Sequence, residues 1–332
     1  MVFDRDVLKI DISSETDRIC DFIDEKVGAM KRDGAVIGIS GGIDSAVAAA
    51  LCVKALGKGK VLGLILPERE SNSVSVKYAV KQAARLGMKT ETVEITPALE
   101  AIGTYRRRDK FIRDIFPEYT PQYKSKITLP ADLLSRDAYN LFTLTIADGE
   151  GNIRSARLDR TGLQGIIAAT DTKQRTRMLY LYLYAESNNY LVCGTTNRSE
   201  YVQGFFVKYG DGGVDIEPIA HLYKTQVYRV AEYLGVIREI IEREPSPDTF
   251  SLTLSDEDFY FRMPYDRLDP LLFAWENAVP VSEVCEAMSL TEQQVRRAFR
   301  DFNAKANATK HLRDATPMLG ADIKKARDTA LI

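Results

Sequence analysis

Short apolar runs alternate with helical stretches along this chain, and that alternation limits what it can fold into. The runs are Ala35-Val36-Ile37-Gly38-Ile39, Val61 to Leu66 and Tyr190-Leu191-Val192-Cys193, and Thr90 to Ile95 reads as a further strand. They are too short for helices, and a continuous apolar run suits a strand buried on both faces of a parallel sheet. Between them lie Glu15 to Arg32, with Ile19, Phe22, Ile23 and Val27 at helical spacing, and Ala46 to Leu56, closed by Gly57. Ser73 to Leu86 follows and stops at Gly87; Gln174 to Ala185 and Tyr223 to Leu234 complete the set, the last stopping at Gly235. Glycine after the last helical residue is a common stop. Strand, helix and strand in turn predict an α/β fold with a doubly wound parallel sheet.

Two regions stand outside that rhythm. About residues 100–170 are too long for an ordinary connection and read as an insertion. It holds a basic cluster, Arg106 to Lys110, read as a solvated face. It also holds Leu141 to Ala147 and Ile153 to Leu158 around Asp148-Gly149-Glu150-Gly151-Asn152, the signature of a β-hairpin. About residues 264–332 read as a helical tail, with Glu283 to Phe302 the clearest pattern. The chain, 1–332, is expected to form a single domain on this plan.

Charge and cysteine usage narrow the class. Lys+Arg total 45 against Asp+Glu 47, so a general nucleic-acid coat is not expected. Cys20, Cys52, Cys193 and Cys285 are widely spaced with no CxxC, which suggests neither a disulfide framework nor a zinc site. No apolar run reaches the ~20 residues that span a bilayer. A cytoplasmic protein with no membrane partner is expected.

The chemistry concentrates in Ser40-Gly41-Gly42-Ile43-Asp44-Ser45, between the first strand and the helix after it. Ligands of doubly wound sheets bind at the carboxyl ends of strands. Two glycines let the backbone curl around a bound group, while the Ser40 and Ser45 hydroxyls and the helix N-terminus offer donors to an anion. Asp44 would repel a bare phosphate, so it points to a divalent metal between carboxylate and phosphate. No Gly-Lys-Ser/Thr follows, so this is not a Walker loop. A plain strand-to-helix turn would use the same Gly, Asp and Ser for geometry and capping.

SGGIDS resembles the pyrophosphate-binding loop of the N-type ATP pyrophosphatases. A second block, Gly194-Thr195-Thr196-Asn197-Arg198-Ser199-Glu200, runs into Gly204 to Asp215, then Pro218, Lys224-Thr225-Gln226 and Pro245-Ser246. With Arg175-Thr176-Arg177-Met178 upstream, Asp256-Glu257, Tyr265 and Leu268-Asp269 beyond, and His311-Leu312-Arg313, this order is similar to the NAD synthetase family. Two positions depart from that pattern: Asp171-Thr172-Lys173 where an Asn is common, and Leu312 where Lys usually follows His.

The resemblance implies a Rossmann-like fold of the adenine nucleotide alpha hydrolase type, and a site with assigned roles. Ser40, Gly41, Gly42, Asp44, Ser45, Arg177, Thr195, Lys224 and Ser246 would bind ATP and its pyrophosphate; Thr195 could equally be a helix cap. Asp44 and Glu200 would share Mg²⁺. Arg175, Lys208, Asp215 and His311 would bind the acid substrate. Asp44, Lys224 and Asp211 would serve catalysis, with Asp211 holding ammonium or taking its proton. His221 is read as structural. The implied reaction is ammonia-dependent amidation of deamido-NAD through an adenylylated carboxylate. The alternatives are a ligase of the same fold acting on another carboxylic acid, or a nucleotide-binding subunit without turnover. A homodimer is expected from the family. No Cys sits in a nucleophile turn, so nitrogen would come as free ammonia, with a separate glutaminase partner left open.

Overall fold

The computed structural model describes residues 3–4, 6–135 and 140–319; the end of the expected tail, 320–332, lies outside them. Seven strands are found among them: β1 Gly34–Gly38, β2 Val61–Ile65, β3 Lys89–Thr92, β4 Lys124–Thr128, β5 Thr143–Ala147, β6 Ile153–Arg157 and β7 Tyr190–Cys193. β1, β2, β3 and β7 form one parallel sheet in the order β3-β2-β1-β7. All four are the strands expected from the sequence.

Alternation along β1 sorts the two faces. Ala35 and Ile37 pack with Leu191 and Cys193 against helices Ile12–Ala29, Ile43–Leu56, Ser73–Leu86 and Lys224–Tyr233. Val36 points the other way, joining Leu62, Leu64 and Val192 with Leu99, Tyr105 and Ala185 of helices on the opposite face. Successive residues of a strand face opposite sides, so one five-residue run serves two helical layers.

Local signals set most helix ends. Asn72 caps Ser73–Leu86, accepting from Val74 N–H, and Gly87 ends it in the left-handed conformation. The long helix Arg160–Asn188 was legible only as Gln174 to Ala185. Gly162 and Gly165 weaken its first half as a sequence signal. A Cβ at Gly165 would come within 2.3 Å of the Phe111 ring, so the glycine permits helix Thr104–Arg113 to cross closely there.

The expected hairpin is present as β5 and β6, paired antiparallel. A third strand, β4, pairs with β5 and was not foreseen. Lys124-Ser125-Lys126-Ile127-Thr128 reads as polar, but Ser125 and Ile127 are buried and face the core of this small sheet. The basic cluster also needs correction: Arg108 and Asp109 are buried, not solvated. In the tail, the stretch 283–302 is two helices, Val281–Met288 and Glu292–Ala308. Ser289 turns left-handed between them, and Thr291 starts the second with a capping box to Gln294. Among the described residues no helix is long and apolar enough to cross a membrane.

One buried carboxyl of the tail reaches two helices of the core. Asp269, in helix Tyr265–Glu276, accepts from Ser199 Oγ at 2.6 Å and from Thr225 N–H at 2.7 Å. It thereby holds the starts of helices Arg198–Gln203 and Lys224–Tyr233 together. Asp269→Ala leaves two buried donors unpaired and is expected to lower stability by about 2–4 kcal/mol, read as a shift in urea midpoint at unchanged slope.

Candidate active site

The carboxyl ends of β1 and β7 open into a cleft of about 610 Å³. The first loop beyond β1 forms its floor. Gly41 has φ +81, and a Cβ there would lie 2.2 Å from the Ser75 carbonyl oxygen, so only glycine fits. Ser40 Oγ and Ser45 Oγ are 3.0 Å apart, and Ser45 Oγ donates to the Gly42 carbonyl. Gly42 caps helix Ile43–Leu56 without a side chain. The positive end of that helix therefore faces the cleft beside two hydroxyls.

Asp44, in the first turn, meets residues brought by the other strand. Its Oδ1 accepts from Asn197 Nδ2 at 2.9 Å and its Oδ2 from Lys224 Nζ at 2.6 Å. Lys224 Nζ also lies 3.5 Å from Glu200 Oε1. Asn197 is the N-cap of helix Arg198–Gln203, where Glu200 closes a capping box by accepting from Asn197 N–H. One short helix start thus fixes both Asn197 and Glu200 against Asp44.

The electrostatics of this cluster follow from burial. Burial opposes the charge of Lys224, but Asp44, Glu200 and Asp256 outweigh it and hold the ammonium charged well above its ordinary range. Glu200 moves up instead, through burial first and the Asp44 charge second, with Lys224 pulling back. Asp256 is likewise raised by burial, and Tyr265 OH donates to it at 2.9 Å. Three carboxyl groups face one ammonium, an acidic excess that suits a cation. Among the described residues no three metal-type side chains converge into a cage. A magnesium ion carried on phosphates needs only one or two carboxylates, so Asp44 and Glu200 fit that role.

The other expected residues distribute around the opening. Thr195, Arg175, Lys208, Asp211, Ser246 and His311 line the cleft. A second lobe of about 250 Å³ continues from it past Leu64, Leu66, Met178 and Thr195, and Arg177 lines that lobe. Arg177 is held there by donating from Nε to the Leu66 carbonyl at 3.1 Å. Lys208 Nζ donates to the His311 carbonyl at 2.7 Å, which brings the tail over the cleft. Asp211 accepts from Val207 N–H at 2.8 Å and borders both lobes; the protein around it pushes its carboxyl up to about 6. Thr195 is not a helix cap, because Asn197 has that place.

Asp215 is the exception. It lines neither lobe, and both its oxygens are taken, one by Tyr182 OH at 3.1 Å and one by Val192 N–H at 2.7 Å. It braces β7 against the long helix. His221 is also away from the cleft, bonded through Nε2 to Glu15 at 2.5 Å.

Two residues in or behind the site carried no role in the sequence reading. Asn197 could have been found from Asn-x-x-Glu, a capping spacing at a strand end. Glu217 had no local signal. It accepts from Thr196 N–H at 3.0 Å and Thr196 Oγ1 at 2.9 Å. A Cβ on Gly194 would come within 2.4 Å of its carboxyl carbon, so Gly194 makes room for it.

Fold and loop together define a doubly wound α/β protein of nucleotide-binding type. The family model for NAD synthase matches residues 15–116 and 144–313. The NH(3)-dependent NAD(+) synthetase of Mesorhizobium japonicum is 44% identical over 318 residues, spanning 96% of this chain and 99% of the relative. That of Thermotoga maritima is 41% identical over 263 residues, 79% of this chain and 87% of the relative. Among solved structures, an NMN synthetase from Francisella tularensis superposes with a TM-score of 0.65 at 25% identity, covering 94% of this chain and 100% of that one. The NH3-dependent NAD synthetase of Campylobacter jejuni, solved with nitrate, gives 0.61 at 25% identity, with coverage of 93% and 100%. The chain belongs to the NAD synthase family, and it is a carbon–nitrogen ligase.

Glu217 yields a pH-dependent prediction. Burial pushes its carboxyl from the ordinary 4.5 to about 8, against the bonds from Thr196, with Asp211 adding repulsion. The native state therefore keeps a proton that the unfolded chain has lost across that window, and stability falls as pH rises through it. Glu217→Gln keeps both Thr196 contacts without the charge. It should melt higher than the parent at about pH 8, with the gain vanishing near pH 4.5, read by thermal unfolding across pH.

Proposed function

We propose that this chain amidates deamido-NAD to NAD⁺ with ammonia, splitting ATP to AMP and pyrophosphate. The observation that carries the reading is the Lys224 ammonium buried between Asp44 and Glu200 at the N-terminus of the SGGIDS helix, within a family whose curated relatives here are named for this reaction.

The chemistry assigns each group a task. A carboxylate resists attack by an amine, so its oxygen first attacks the α-phosphorus of ATP and pyrophosphate leaves. The helix N-terminus and the Ser40 and Ser45 hydroxyls hold the departing phosphates, and Lys224 neutralises their growing charge. Mg²⁺, when bound with ATP on Asp44 and Glu200, would screen the same charge. Arg177 and Thr195 would hold the nucleotide, Ser246 a phosphate, and Arg175, Lys208 and His311 the acid. Ammonia nitrogen then attacks the acyl carbon, AMP leaves, and Asp211 accepts the proton released. A carboxyl near 6 is well matched to that transfer around neutral pH. The chain acts as one catalytic unit in the cytoplasm. Phe142, Ile167 and Thr170 of the inserted region and Thr309 and His311 of the tail close its cleft.

The direct experiment supplies ATP, Mg²⁺ and ammonium with deamido-NAD and detects NAD⁺. No NAD⁺ and no acid-dependent pyrophosphate release would overturn the reading. The likeness to an NMN synthetase structure favours a second acid, the corresponding mononucleotide, which the same assay ranks by kcat/KM. Glutamine as sole nitrogen source should give no product; a separate glutaminase could still feed ammonia in the cell.

Asp44→Asn and Glu200→Gln should each reduce kcat roughly 10²-fold or more while the fold is retained. Near-normal kcat in both at ordinary magnesium would remove the metal role.

We also propose a homodimer. Leu179 and Leu183, one turn apart on helix Arg160–Asn188, are 60% and 58% exposed, an apolar stripe that a second copy would cover. Leu179→Glu with Leu183→Glu should turn a dimer mass into a monomer mass by light scattering, with the circular dichroism unchanged.

A further inference from the structure

We infer that Lys173 is a positioning residue for ATP, acting through the backbone of the loop that carries Ser246. The inference rests on the ATP site proposed above.

Lys173 lies on the long helix and is wholly buried. Its Nζ makes three bonds: to Glu68 Oε1 at 2.9 Å, to Glu70 Oε2 at 2.8 Å and to the Thr249 carbonyl at 3.0 Å. An ammonium has three donors, so each is used. The two glutamates are themselves fixed. Tyr105 OH donates to Glu68 Oε2 at 2.6 Å, and Arg108 donates to Glu70 Oε2 at 2.6 Å and to Asp109. Burial opposes the charge on Glu70, yet Arg108 and Lys173 hold its carboxyl down at about 2. A buried charge network of this kind is rigid when fully satisfied, and costs much when one member is removed.

The loop at the other end has little else to hold it. Pro245 and Pro247 interrupt it, and Asp248 takes φ +48. Among the described residues, 246–250 form no backbone-to-backbone hydrogen bond. Open space lies on both sides: Ser246, Asp248 and Thr249 line the 610 Å³ cleft and also a separate cavity of about 690 Å³ behind the loop. Beyond it, Phe250 is buried in the core of the β4–β6 sheet. Before it, Asp256 N–H donates to the Pro245 carbonyl. Between those anchors, among the described residues, the wall has two outside tethers, Ser75 Oγ donating to Asp248 at 3.0 Å and Lys173 donating to Thr249. Lys173 supplies the one with a charged donor, and it grips the loop by its backbone. The helix that carries it also carries Arg177, four residues on, at the neighbouring lobe. One rigid element therefore sets the spacing between Arg177 and the Ser246 loop, which is the spacing an ATP molecule must match.

The test removes the pin without leaving a surplus buried charge. Lys173→Met with Glu68→Gln deletes one positive and one negative group together. Glu68→Gln alone keeps the bond to Thr249 and is the reference. ATP-dependent pyrophosphate release is followed with deamido-NAD and ammonium. Relative to the reference, KM for ATP should rise about tenfold or more, while KM for ammonium and kcat stay within about threefold. A folded double variant with KM for ATP unmoved overturns the inference, as does an equal loss in every parameter. If the double variant does not fold, Lys173→Arg keeps the charge but alters the reach to Thr249. A several-fold rise in KM for ATP then supports the inference and an unchanged value overturns it. Failure of all three variants to fold also overturns it, because Lys173 would then act on stability. Absence of pyrophosphate release in the parent chain would instead strike the ATP reading itself.

Discussion

A single buried ammonium organises the site. Lys224 reaches from the first turn of one helix to Asp44 in the first turn of another, across the carboxyl ends of β1 and β7. A lone charge so deep would be costly; Asp44, Glu200 and Asp256 make it favourable. The carboxyl groups in turn gather there only because Asn197, Tyr265 and Asp269 hold them or their helices in place. The core α/β layers supply the strand ends and the tail supplies the braces. Neither alone would bring these side chains together.

Most of the parallel sheet was plain in the sequence because β1, β2 and β7 are largely buried on both faces, whereas the edge strand β3 is not. β1 needs nothing but apolar residues to satisfy two helical layers. β4 was invisible for the opposite reason. An edge strand with lysines at alternate positions shows only two buried side chains, and its partner lies downstream in sequence. Arg106 to Lys110 misled in the same way, since a charged string does not reveal that Arg108 has carboxylates waiting for it.

The site shows a similar division. SGGIDS and the block ending at Glu200 are local strings whose spacing encodes a turn, a helix start and a carboxylate, so Asp44 and Glu200 could be placed near one another. Residues whose partners are far along the chain could not. Asp215 sits amid motif residues, yet Tyr182 and the Val192 amide occupy it. Glu217 and Lys173 are defined by contacts to Thr196 and Thr249, and no periodicity announces either.

The helix Arg160–Asn188 has 29 residues, which makes a rod about 43 Å long. Near its middle it presents Lys173 and Arg177 inward and, on overlapping turns, Leu179 and Leu183 outward. Packed helices shift as bodies rather than residue by residue. Anything that grips the outer leucines therefore leans on the same beam that sets the walls of the nucleotide lobe. A load on those leucines and the shape of the cleft share one mechanical axis in this fold.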